Sequence, residues 1–191
     1  MKRLALTAGV ILLAAPLATA QISTWKSDPA HSRIAFTIRH LGVADVHGHI
    51  GDVKATIQYD AVDVTRSKVA ATIGMNTVST GESGRDNEIR SADFFDVGHF
   101  PKATFISSQV AKKGDGLWVR GNLTLHGITR EVVLNVRGPD KPVMGADGKP
   151  HSGFSATTTI DRTTFDIGTT FPAAIVGDPV KLSISLDIVK Q

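Results

Sequence analysis

Asp28, His31 and Ser32 lie close together near the start of the chain and are the acid, base and nucleophile types of a hydrolytic triad. Their spacing opposes that chemistry. His31 and Ser32 are adjacent, and adjacent side chains on a strand point to opposite faces; nor does the chain contain the G-x-S-x-G turn that would present a serine nucleophile. The pair reads instead as an anchor for the first long strand. His47 and His49 flank Gly48 and share one strand face, a spacing that can place two imidazoles on a metal, but no fixed third ligand accompanies them. The other histidines are scattered through turns and strand ends. Two arginines remain as anion-binding candidates: Arg85, followed by Asp86 at the start of a helix-like block, and Arg162 in the stretch IDRTTF. For each, a structural ion pair or a set of backbone carbonyls is the competing role.

These residues must be positioned by a chain that is almost entirely strand-like. From Ser32 onward about eight segments alternate in polarity or are rich in β-branched residues. Ile34, Phe36 and Ile38 share a face; Val53, Ala55, Ile57 and Tyr59 alternate with Lys54, Thr56, Gln58 and Asp60; Val69, Ala71, Ile73 and Met75 follow. Gly114-Asp115-Gly116 and His126-Gly127 separate alternating runs and read as hairpin turns. Pro139 to Pro150 reads as a polar loop and Thr163 to Pro179 as an irregular stretch, and Val180 to Ile188 closes the chain as a strand with one wet face. The exception is Gly84 to Phe105. There Ser83 and Asp86 have the form of a capping box, Ile89 and Ala92 fall on one helical stripe, Phe94 and Phe95 follow, and Pro101 bars continuation.

The bulk properties narrow the class. Met1, Lys2 and Arg3, an apolar run from Leu4 to Leu17, and Ala18-Thr19-Ala20 have the form of a secretory signal peptide over residues 1–20, leaving one domain at 21–191. That run is shorter than the roughly 20 residues that span a bilayer, so a membrane-spanning protein is not expected. Without Lys2 and Arg3 the chain keeps 21 − 2 = 19 basic against 18 acidic residues, a balance that gives nucleic-acid binding no support. The chain has no cysteine, which excludes disulfides and thiolate metal sites, so an exported domain would rest on its core alone. The fold expected is all-β: an eight-stranded antiparallel, lipocalin-like barrel with a short helix between strands. Its inward faces carry many small residues, including Ala55, Ala71, Ala103, Ser107, Ala156 and Thr158. Such walls leave room for a ligand, unless strand twist or the Phe94-Phe95 segment fills the middle.

The Gly84 to Phe105 block, with HSRIAFTIRHLG before it and GNLTLHGIT and GFSATTTIDRTTF after it, resembles the YceI-like family of bacterial polyisoprenoid-binding proteins over nearly the whole of 21–191. The resemblance implies a periplasmic barrel that holds an isoprenoid lipid, such as a polyprenyl phosphate or an isoprenoid quinone, in an elongated apolar pore. A tunnel of that kind would draw on Phe36, Ile38, Ile57, Ile73, Met75, Phe94, Phe105, Leu123, Phe154 and Leu182, with Arg85 and Arg162 as head-group candidates. Three positions depart from the family pattern: Ile50 stands where phenylalanine is common, Glu131 replaces a common proline, and Asp166 a common glycine.

The expectation is therefore an exported lipid carrier or sequestering protein with no catalytic residues, no metal and no cofactor besides the bound lipid. Homodimer formation stays open. Two rivals stand beside it. One is an enzyme acting on such lipids or a metal-dependent stress protein; the other is a filled barrel with a purely structural or interaction role.

Overall fold

The computed structural model describes residues 22–191, so the signal-peptide reading of 1–20 lies outside the described residues. Eleven strand segments form the wall: β1 (Ile22–Ser27), β2 (Arg33–His40), β3 (Ala44–Ile50), β4 (Val53–Asp60), β5 (Lys68–Gly74), β6 (Lys102–Lys113), β7 (Gly116–Leu125), β8 (Ile128–Arg137), β9 (Val143–Met144), β10 (Pro150–Asp161) and β11 (Val176–Lys190). All pairings are antiparallel.

Eight staves emerge once the bends are recognised. β1 and β2 run along the same edge of β11, with Trp25 opposite Lys190 and His40 opposite Val176, so they are two halves of one bent stave. β3 and β4 form the next, since β3 pairs with β2 and β4 with β1. Pairings β4–β5, β5–β6, β6–β7, β7–β8, β8–β10 and β10–β11 then close the ring. Closure removes the free edges that make open sheets sticky. The β8–β10 pairing is short, registered at Ser155–Arg137, Ala156–Val136 and Thr157–Asn135.

The bends have local causes. Between β1 and β2, Pro29 cannot donate to a ladder, and the Asp28 carboxylate accepts from Ala30 N at 2.9 Å. Between β3 and β4 the chain passes through Asp52 at φ 45°. Above these bends β3 leaves β5 behind, and the segment that follows β5 fills the gap: His49 and Ser79 exchange backbone hydrogen bonds of 2.8 and 2.9 Å. Both expected hairpin turns form, with Gly114 at φ 55° and His126 and Gly127 at 51° and 73°. The polar loop after β8 holds a short hairpin of its own, β9 pairing with Pro150 and His151.

The helix α1 (Ser83–Arg90) sits in the insertion between β5 and β6, but its start differs from the sequence expectation. Glu82, not Ser83, is the N-cap: its carboxylate accepts from Gly84 N at 3.0 Å and Arg85 N at 2.6 Å. Asp86 turns back to accept from Ser79 Oγ at 2.8 Å and from Thr80 N and Oγ1 at 2.6 Å each. The helix ends before Ala92, which is exposed; Ile89, Phe94, Phe95 and Val97 carry the apolar face instead. Among the described residues no helix is long and apolar enough to cross a membrane.

Candidate functional site

The barrel interior is divided by height. In the lower half inward side chains pack together, beside an opening of about 670 Å³ between β8 and β10 that Leu117, Val136 and Ala156 help to line. Trp25, Ile57 and Ile188 form one buried cluster, with Tyr59 and Phe154 against it, and Phe105, Val110 and Val119 form another. In the upper half the staves stand apart around a cavity of about 410 Å³. Its wall is apolar: Ile34, Phe36 and Ile38 on β2, Ile73 on β5 and Met75 just beyond it, Ala103 on β6, Leu123 and Leu125 on β7, Ile160 on β10, and Val180 and Leu182 on β11. Phe36, Ile38, Leu123 and Leu182 are only half-buried although they point inward, because the space they face is open. Ile89, Phe94 and Phe95 from the insertion and Phe171 and Ile175 from the loop before β11 complete the upper wall, with Phe94 and Phe171 stacked at 5.1 Å.

Polar groups enter the lining at Arg39, His40, Arg85, Glu88 and Arg162. Arg39 is committed elsewhere, to Gly42 O at 3.1 Å and Asp45 at 3.0 Å. Arg162 is almost fully buried and donates to the carbonyls of Gly177 (3.2 Å), Ile167 (2.8 Å), Gly168, Phe171 (2.7 Å) and Val176 (2.9 Å), with Asp178 at 2.9 Å as its counter-ion. That guanidinium is a clamp on the loop before β11. Its hydrogen-bonding capacity is spent on backbone carbonyls and on Asp178, as a buried guanidinium with five N–H donors requires. Arg85 is half-buried at the cavity rim, with Nε on Thr80 Oγ1 at 2.7 Å and Nη2 near Thr80 O at 3.4 Å. These contacts orient the guanidinium, which also forms part of the cavity lining.

Of the residues expected to form a tunnel, Phe36, Ile38, Ile73, Met75, Phe94, Leu123 and Leu182 share the cavity wall, and both arginine candidates reach it. Ile57, Phe105 and Phe154 do not. They point inward as alternation requires, but from the lower level, where they pack against one another's neighbours and not around open space. Ile34, Leu125, Ile160, Ile167, Phe171 and Val180 were missed. The alternation of β2, β7, β10 and β11 carried a signal for Ile34, Leu125, Ile160 and Val180; Ile167 and Phe171 lie in irregular chain and had none. The departures from the family pattern also find places. Ile50 lines the cavity, Glu131 pairs with Arg120 at 2.7 Å on the outer surface, and Asp166 holds φ 58°, the left-handed region a glycine enters without strain.

The triad-like residues lie outside the cavity. His31 Nδ1 bonds Asp28 at 2.8 Å, while Ser32 Oγ is taken up by the backbone of Asp187, at 3.2 Å to both its O and N. The serine thus pins the first bend to β11. Asp28, His31 and Asp187 each offer a ligand atom within 4.8 Å of the others, which makes them a metal-capable group among the described residues. His151 adjoins it, with Nδ1 3.0 Å from Asp187 and Nε2 3.2 Å from Asp147. The hydrogen bond to Asp28 raises the His31 pKa above its ordinary value, and that to Asp187 raises that of His151. The Asp28 carboxyl is held low by His31, and that of Asp147 chiefly by the Lys149 N–H. His47 and His49 face outward on β3, and His47 bonds Thr37 at 3.1 Å.

Fold and cavity together define a class: a lipocalin-like, eight-stranded up-and-down barrel, closed by its last and first staves and hollow in its upper half around an apolar chamber. The chain belongs to the YceI-like domain family, whose pattern matches residues 25–188. It is 35% identical over 192 residues to a UPF0312 protein of Pectobacterium atrosepticum, covering 98% of this chain and 96% of that one. Among solved structures it is similar to BcnA of Burkholderia cenocepacia, with a TM-score of 0.73 and 22% identity over 84% of this chain and 98% of that one. It is also similar to a polyisoprenoid-binding domain from Saccharophagus degradans, with a TM-score of 0.62 and 14% identity over 90% of this chain and all of that domain. At those identities the two structural likenesses speak for the fold alone.

Proposed function

We propose that the protein is a non-catalytic binding protein that holds an isoprenoid lipid in the upper cavity, exported to the periplasm to carry or sequester it. The observation that carries this reading is the cavity itself, a chamber of about 410 Å³ whose wall is aliphatic and aromatic. Water gains little there, whereas each methylene moved in from water contributes roughly 0.8 kcal/mol. The family supports it, as does the polyisoprenoid-binding domain that shares the fold. A branched, flexible prenyl chain suits a wall of Ile, Leu, Val, Met and Phe. Arg85 at the rim supplies a guanidinium for a phosphate or a quinone oxygen, while Arg162 is left to its carbonyls.

Organic extraction of protein purified from its native host, followed by mass spectrometry, tests the reading. A stoichiometric isoprenoid is expected. Leu182→Glu places a carboxylate on the cavity wall at a half-buried position, and the expected result is a folded protein without lipid. No co-purifying lipid in the native protein, or equal lipid content in the variant, would overturn it.

A further inference from the structure

We infer that the mouth of the upper cavity is a membrane-docking lip, two apolar loop tips that enter the surface of a lipid bilayer so that the ligand passes between bilayer and barrel without crossing water. This rests on the isoprenoid-binding reading and adds the surface from which the lipid is collected. The lip consists of the β2–β3 hairpin tip, Leu41-Gly42-Val43-Ala44, and of Pro172-Ala173-Ala174-Ile175 in the loop before β11. These eight residues carry no polar side chain, and all of them are exposed. Leu41 is 54% exposed, Val43 76% and Ile175 41%. The Leu41 N–H donates to Ile175 O at 2.9 Å and so joins the two tips. The lip is also continuous with the cavity, because Ile175 and its neighbour Val176, with His40 at the base of the hairpin, form part of the cavity wall.

The tips suit an apolar medium. Val43 N–H donates to His40 O at 3.1 Å, and the N–H groups of Ile175 and Val176 donate to Pro172 O at 2.8 and 3.1 Å. Arg39 Nε donates to Gly42 O at 3.1 Å while its Nη1 pairs with Asp45 at 3.0 Å, so the cation at the base of the hairpin brings its own counter-ion. Backbone groups already bonded within the protein lose little when a bilayer replaces water around them. The residue types, by contrast, do not suit a tip that stays in water. Leu41 and Gly42 hold φ 51° and 68°, a turn whose first place favours Asn or Asp. The turn of the same form between β7 and β8 has His126 in that place, and the tips at 114–116 and 146–148 carry Asp115 and Asp147. A leucine held in the left-handed region and exposed at the top of the barrel adds little to the fold, and against a bilayer it is buried. A lipid is the occupant that the continuous apolar path from wall to lip serves, since a prenyl chain moving along it keeps its methylenes out of water.

Purified protein is mixed with phosphatidylcholine vesicles, plain or loaded with geranylgeranyl phosphate, and floated through a density gradient, with mass spectrometry to follow prenyl lipid taken up by the protein. The unsubstituted protein is expected to float with the plain vesicles and to load from the others. Leu41→Asn/Val43→Asp makes the hairpin tip polar with a residue the turn favours, and neither position lines the cavity. Flotation and the rate of loading from vesicles are expected to fall at least about tenfold, because two apolar side chains leave the interface. Affinity for farnesyl phosphate supplied in solution stays unchanged. Val62→Asp removes an apolar side chain that is 71% exposed between β4 and β5, at the opposite end of the barrel, and is expected to alter neither flotation nor loading. Three results overturn the lip and leave isoprenoid binding standing: a protein that binds farnesyl phosphate but does not float, a double variant that floats and loads like the unsubstituted protein, or a dimer that the same substitutions dissociate without any flotation. Flotation that the double variant loses, with no prenyl phosphate bound by either protein, overturns the isoprenoid reading and leaves the docking surface. Neither flotation nor prenyl phosphate binding overturns both.

Discussion

Replacing Arg162 separates its architectural role from a head-group role. In the free protein the guanidinium satisfies the carbonyls of Ile167, Gly168, Phe171, Val176 and Gly177 and pairs with Asp178. Arg162→Met keeps an unbranched apolar stem and removes every donor. Gly168 and Gly177 are buried, so their carbonyls lose their partner with little access to water, while those of Phe171 and Val176 are nearer the surface. An orphaned buried acceptor costs about 1–3 kcal/mol. Two or three of them give roughly 3–5 kcal/mol, the range found when one partner of a buried ion pair is removed. Arg162→Lys keeps the charge but has three donors and no planar fork, so about half that loss is expected. Urea titration reads it: with a slope of about 2 kcal/mol/M, a 4 kcal/mol loss moves the midpoint by about 2 M. Hydrogen exchange should show the amides of 166–176 losing protection first. Asp178→Asn, at a half-exposed partner, should cost less than about 1 kcal/mol. A methionine variant within 1 kcal/mol of the unsubstituted protein would refute the clamp and return Arg162 to the head-group candidates.

Arg85→Ala should weaken a prenyl phosphate about tenfold or more, the worth of a charge-assisted hydrogen bond, and leave the uncharged prenol unchanged in a parallel titration; equal loss for both would mean the residue acts by packing. The histidine–carboxylate pairs at the first bend make stability pH-dependent. His31 and His151 have raised pKa values, so their contribution is complete below 6.5 and lost as pH climbs through the folded-state values. Asp28 and Asp147 are lowered from 3.8, so theirs is present above that and lost as pH falls further. The thermal midpoint should therefore peak between about pH 4 and 6.5, and Asp187→Asn should flatten its alkaline side; an unchanged alkaline limb would remove the pairs from the account. Gly48→Ala would put a Cβ 2.3 Å from Phe36 Cζ and 2.8 Å from Ser79 O, so the ring must move into the cavity. Overpacking of this kind costs about 1–3 kcal/mol, and bound farnesyl phosphate should fall with it; full binding at unchanged stability would show that Phe36 moves aside freely.

Alternation along each strand, the glycine-bearing turns and the single helical block are local properties, and they were legible in the residues: the eight-stave barrel, its hairpins and the inserted helix all follow from them. The inward or outward direction of Phe36, Ile73, Leu123 and Leu182 followed for the same reason, since a strand alternates whatever surrounds it. Height along the barrel axis was not legible. Ile57, Phe105 and Phe154 obey the same alternation as the cavity residues, yet they pack in the lower clusters, because height depends on cross-strand register and on bends at 28–32 and 51–52. Side-chain partnerships across loops were equally hidden. Glu82 took the cap from Ser83, Asp86 turned to Thr80, and Arg162 found carbonyls up to 15 residues away. The sequence by itself determined which side chains face inward, because a two-residue period needs no neighbour. Only the tertiary structure decided which of them surround space and which fill it, because that depends on how far opposite walls stand apart.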